Sequence, residues 1–167
     1  MAHKYSEMHG HLRRLDRVWL DPAIFFVTAC TRNRKAILAS EQVAEILIDE
    51  WQNAQRHGWH VGRYVIMPDH VHLFCAPDPN AASLSDFVGA WKRWSSRRIS
   101  KMPRTASSAT GAIWQREFFD HLLRSEESYD QKWNYVRDNP VRANLAQSAA
   151  EWPFAGEIEA LRFRSPQ

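Results

Sequence analysis

Between Trp59 and Ala76 the chain carries two strand-like runs, Trp59 to Met67 and His70 to Ala76, separated only by Pro68-Asp69. Proline cannot continue a ladder and aspartate favours turns, so the pair reads as the tight connection of a hairpin. Residues two apart in a strand point to the same face, which sets the imidazoles of His70 and His72 side by side. Val71, Leu73 and Cys75 then face the other way.

The rest of the chain supplies partners for that hairpin. Ala23 to Cys30 is a β-branched and aromatic run, expected as a buried strand near the sheet centre. Ser40 followed by Glu41 starts a helix in which Val43, Ile46, Leu47, Trp51 and Ala54 recur at helical spacing, until His57-Gly58 stops it. Ser83 and Asp86 resemble a capping box ahead of a second amphipathic helix with Leu84, Phe87, Val88, Trp91 and Trp94, running toward Ser100. A loop rich in Ser, Thr, Ala and Pro is expected at about residues 102–112 and is read as exposed and mobile. Ile113-Trp114 and Phe118 to Leu123 offer a further short strand, and Ser125 opens a third helix that must end near Pro140. This order predicts one α+β domain over 1–167, with its core at about 18–155. The expected architecture is a sandwich with a mostly antiparallel sheet and helices packed on one side.

Composition narrows the function classes. At 167 residues, 44% of them hydrophobic and with eight Trp and eight Phe, the chain can bury a sizeable core. No apolar run reaches the roughly 18 residues a membrane span needs, and Met1 to Asp16 has no signal-like apolar segment. Cys30 and Cys75 sit in apolar strands rather than at metal or redox spacing, which predicts reduced core thiols and a cytoplasmic location. The net charge of +3 is compatible with a polyanionic partner without requiring one.

Three sets of residues could carry chemistry. The first is His70 and His72 as metal ligands, although two histidines alternating in a half-buried strand give the same pattern. A histidine-triad hydrolase would need a third His where Phe74 stands, and a zinc hydrolase would need further ligands nearby. The second is Ser128, Lys132, Tyr135 and Asn139, which fall on one helical stripe, apart from the apolar stripe of Tyr129, Trp133 and Val136. The third is Lys92, Arg93, Trp94, Arg97 and Arg98 on the second helix, where cations interleave with aromatics as in single-stranded nucleic-acid binders.

Taken together, Tyr64-Val65-Ile66-Met67-Pro68-Asp69-His70-Val71-His72-Leu73-Phe74, Trp114-Gln115-Arg116-Glu117-Phe118-Phe119-Asp120-His121 and Tyr135-Val136-Arg137-Asp138-Asn139-Pro140-Val141-Arg142 resemble the REP-associated tyrosine transposases. These are a branch of the single-tyrosine HUH transposases. The resemblance implies a ferredoxin-like (RRM-like) sheet carrying the His pair on a central strand, with the tyrosine on a helix laid against it. It also implies that Tyr135 is the nucleophile, that His70, His72 and Asn139 are ligands of Mg²⁺ or Mn²⁺, and that the product is a 5′-phosphotyrosine. The expected partner is single-stranded or hairpin (REP-like) DNA, with a monomer favoured and a dimer possible. Lys132, one turn before Tyr135, is expected to assist the phenol or touch a phosphate. Asp138 and Asn144 depart from the family pattern, which carries an apolar or aromatic residue and a glycine at those places. The alternative from the residues alone is a catalytically silent module that binds single-stranded nucleic acid as RNA-recognition folds do.

Overall fold

A computed structural model describes residues 23–103 and 111–163. Most of the loop expected at 102–112 lies outside the described residues, as does the basic segment before Ala23. The described chain forms β1 (Ile24–Cys30), α1 (Glu41–Gln52), β2 (Trp59–Ile66), β3 (His70–Pro77), α2 (Leu84–Ser100), β4 (Phe119–Leu123), α3 (Glu126–Arg137), α4 (Asn139–Arg142) and β5 (Ala155–Glu157). The sheet order is β4-β1-β3-β2-β5, and every neighbouring pair is antiparallel. This is the expected α+β ferredoxin-like arrangement, with β1 and β3 at its centre.

Local sequence explains the element boundaries. Ser40, Ser83 and Ser125 each cap a helix by accepting a hydrogen bond from a backbone N–H of the first turn. The first helix tightens into a 3₁₀ turn over Asn53–His57, and Gly58 ends it in the left-handed region at φ 74. The hairpin connection is as tight as its Pro-Asp pair predicts, with Met67 N–H donating to the His70 carbonyl at 2.8 Å.

The two faces of the sheet carry different layers. Val27, Ala29, Val61, Val71, Leu73 and Cys75 pack beneath α1 and α2. In that layer the Trp59 ring stacks on Phe87 at 4.9 Å, and its indole N–H donates to the Ala82 carbonyl. On the opposite face α3 is laid across the sheet by Tyr129 and Val136, which pack on Ile24, Val65, Phe74 and Leu123. The apolar stripe read in this helix is therefore its packing face. Both cysteines are free and buried, as expected. Among the described residues no helix is long and apolar enough to cross a membrane.

The expected strand around Ile113-Trp114 and Phe118 to Leu123 is reduced to an isolated bridge between Thr31 and Trp114, followed by β4. At the other edge the weakly patterned tail supplies β5. Trp152 donates to the Ile66 carbonyl at 3.0 Å, and Gly156 lies so close to Tyr64 that a Cβ there would sit 2.8 Å from its hydroxyl oxygen.

Asn144 follows α4 with φ 56. That left-handed conformation is open to glycine and, next best, to asparagine. Asn144→Gly is expected to leave stability unchanged or slightly raised, whereas Asn144→Val lowers it by about 1–2 kcal/mol, measured by urea unfolding.

Candidate active site

The face beneath α3 is where β3 presents its two imidazoles, with ring centroids 4.8 Å apart. Each ring is held by its Nδ1. His70 Nδ1 lies 2.7 Å from Asp69 Oδ1, and a carboxylate can only accept, so the His70 Nδ1 carries a proton and donates it to this contact. Asp69 is held in turn by Arg34, whose Nε donates to Oδ2 at 2.9 Å. Burial disfavours the Asp69 carboxylate, but the hydrogen bond from His70 and the charges of His70 and Arg34 outweigh it and hold its pKa below the usual value. Asp69 therefore does more than turn the chain.

His72 Nδ1 lies 2.8 Å from Thr28 Oγ1, on the neighbouring strand. The tautomer that donates from Nδ1 to this hydroxyl leaves Nε2 free, the form in which an imidazole binds a cation. The ring also stacks on Phe26 at 5.3 Å. Burial drives the His72 pKa down to about 3, helped by repulsion from His70, Lys132, Arg142 and Arg34. His72 is thus neutral across the physiological range.

α3 brings the second group over this face. Ser128, Lys132 and Tyr135 line one open groove together with Gln131 and with His121 and Leu123 of β4. Lys132 Nζ lies 5.2 Å above the Phe26 ring, beside His72. Tyr135 is 63% exposed, so its phenol faces outward and not into the core. The expected stripe of Ser128, Lys132, Tyr135 and Asn139 is not one continuous helix: α3 ends at Arg137, Asp138 bridges at φ −88 and ψ 0, and Asn139 opens α4.

Arg142 was not singled out by sequence reasoning, and it ties these parts together. Its guanidinium lies 4.1 Å over the Tyr135 ring and donates to the Tyr135 carbonyl at 2.7 Å and to the Asn139 amide oxygen. The only signal for it was its place in the last family-like block, three residues beyond Asn139. The Asn139 amide oxygen accepts from Arg142 and retains a second lone pair. Among the described residues no group of three His, Cys, Asp or Glu could hold a metal ion. Two imidazoles and one amide oxygen fall short of the four ligands that close a structural zinc site.

The basic stripe of α2 requires correction. Lys92 is buried, and its ammonium donates to the carbonyls of Gln115, Arg116 and Glu117, so it binds the chain leading into β4 and is withdrawn from any phosphate. Arg98 is held by Asp49 and Glu50 of α1. Arg93, Trp94 and Arg97 are exposed, with Arg97 lying over the Trp94 ring at 4.9 Å. They stand on the helix layer opposite the His pair, and the fold does not bring them to it.

With this geometry in place, comparison with known proteins is informative. The IS200-like transposase profile matches residues 23–139. The chain belongs to that family. It is 24% identical over 140 residues to the REP-associated tyrosine transposase of Escherichia coli K12, covering 83% of this chain and 79% of that one. A REP-associated tyrosine transposase solved bound to a REP hairpin superposes with a TM-score of 0.68 at 21% identity, over 83% of this chain and 79% of that chain. A transposase candidate from Deinococcus radiodurans R1 has a TM-score of 0.54 at 26% identity, over 73% and 94%. These two structures carry the same fold.

Two outcomes follow from the site geometry. Lys92→Ala should destabilise the protein by about 1.5–3 kcal/mol in urea unfolding, because a charged donor to several carbonyls is lost. In EDTA, His72 should remain neutral by NMR until the pH approaches 3. Its folded pKa lies below the unfolded value of about 6.5, so the unfolded chain binds the extra proton in that window. This contribution is complete above pH 6.5 and is lost toward pH 3, by about 1.4 kcal/mol per unit at most.

Proposed function

We propose that the protein is a DNA nicking and joining transposase that cleaves single-stranded DNA at or near palindromic, REP-like hairpins, with Tyr135 as nucleophile. The observation that carries this reading is the convergence on one sheet face of two imidazoles fixed through Nδ1, an outward phenol, and the cations Lys132 and Arg142. Family membership supports the reaction class, and the hairpin bound to the relative of known structure supports the choice of DNA.

His70 and His72 with Asn139 would hold a divalent cation, Mg²⁺ or Mn²⁺, which when bound would polarise the scissile phosphate and stabilise charge on its non-bridging oxygens. A phenol titrates near about 10, so it needs help to attack at neutral pH. Arg142 over the ring and Lys132 in the same groove supply positive charge for the phosphate that Tyr135 attacks. The Tyr135 oxygen forms a bond to phosphorus, the bond from phosphorus to the 3′ oxygen breaks, and that oxygen leaves as a 3′-OH once protonated. The 5′ end stays on the protein as a phosphotyrosine. Because the phosphoester is conserved in the adduct, a 3′-OH can reverse the step and join strands without an outside energy source. The protein acts in the cytoplasm as a monomer in this reading.

The test is incubation of wild type and Tyr135→Phe with labelled hairpin oligonucleotides from the DNA flanking the gene, with Mn²⁺ or EDTA, resolved on a denaturing protein gel. Label should pass to wild type only with Mn²⁺ and never to Tyr135→Phe. Tight binding with no adduct in any metal would instead identify a silent DNA-binding module.

A further inference from the structure

Phe119 is 69% exposed, and its position in the sheet is specific. It pairs with Thr28 across β4 and β1, and Thr28 pairs with His72 across β1 and β3. Paired residues of antiparallel strands share a face, so Phe119, Thr28 and His72 form one row on the side of the sheet that bears the His pair. Two strand spacings separate the outer members, about 10 Å. The neighbouring Phe118 packs partly buried against the other layer, whereas Phe119 and the two residues after it are exposed.

A phenylalanine left in water forfeits most of the free energy that burying its ring would release. The other exposed aromatics of the described chain have cations over them: Trp94 is covered by Arg97 and Tyr135 by Arg142. Among the described residues no ring or cation covers Phe119. It lies on the edge strand, two residues before His121, which lines a groove with Lys132 and Tyr135, and Arg142 lies over that tyrosine. That pairing of a bare aromatic face with a cationic patch a short step away is the chemistry that receives one nucleotide, its phosphate on the cations and its base on the ring.

We infer that Phe119 is a stacking platform for an unpaired nucleobase next to the scissile phosphate, and so a positioning residue for cleavage. The inference rests on the function proposed above. Stacking is sequence-tolerant, because every base has a π face, so Phe119 sets where the strand is held and not which base is read. It serves the single-stranded tail beside a hairpin, since a paired base cannot offer its face.

The experiment measures binding, not cleavage. Full-length Tyr135→Phe protein is titrated with flanking-DNA hairpins bearing unpaired 5′ and 3′ tails, with a single abasic site walked along each tail. An abasic site at one tail position should weaken binding by about 5- to 100-fold. Phe119→Leu, which keeps an apolar side chain but no ring, should weaken binding to the intact tail similarly and lose sensitivity to that abasic site. Phe119→Trp should retain both affinity and sensitivity. Equal affinity of the Phe119→Leu protein for the intact tail, or equal abasic penalties with and without the ring, would overturn the inference while leaving the proposed function standing. Absence of hairpin binding by the parent protein would overturn both.

Discussion

The alternation of side chains along β3 governs the rest of the molecule. Val71, Leu73 and Cys75 are fully buried under α1 and α2, and this sets the rotation of the strand. A slip of one residue would drive two imidazoles into a layer of tryptophans and expose three apolar side chains, a change that the tight Pro68-Asp69 turn also opposes. With β3 fixed, its neighbours follow. Thr28 must lie opposite His72, Cys30 opposite His70, and Phe26 beneath Lys132. The chemistry-bearing face is thus specified by the hydrophobic face behind it.

Much of this was legible in the sequence because it depends on periodicity. Strands alternate every second residue, and the stripes Val43, Leu47, Trp51 and Tyr129, Trp133, Val136 recur at helical spacing, so the sheet, its hairpin and the packing faces could be read directly. What stayed hidden depends on contacts between distant segments. Nothing near Lys92 announces that three carbonyls from Gln115 to Glu117 will surround its ammonium, and by composition it belongs with Arg93 and Arg97. The break at Asp138 swings Arg142 back over Tyr135, which no continuous helical wheel would do. β5 is only three residues, Ala155–Glu157, the middle one a glycine. It forms because β2 offers a free edge and Trp152 anchors the approach, not because its residues favour a strand.

Asp69 and Thr28 occupy a middle ground. One was readable as a turn former and the other as a strand residue, and both readings hold. Their second use, orienting the ring nitrogens, appears only once the strands are side by side. The Asp69 carboxylate, shared between Arg34 and His70, lets a single turn residue serve both the connection and the imidazole that follows it.

The charge around His72 has a consequence for the order of assembly. Its imidazole is held neutral by burial and by the positive charges of His70, Lys132, Arg142 and Arg34. Such a pocket repels an incoming dication and attracts a polyanion. Under the proposed function, metal and DNA are therefore thermodynamically linked: each neutralises the charge that opposes the other, and each strengthens the other's binding by the same factor. Free protein would hold the ion weakly, and the complete centre would come together around the phosphate of a bound strand.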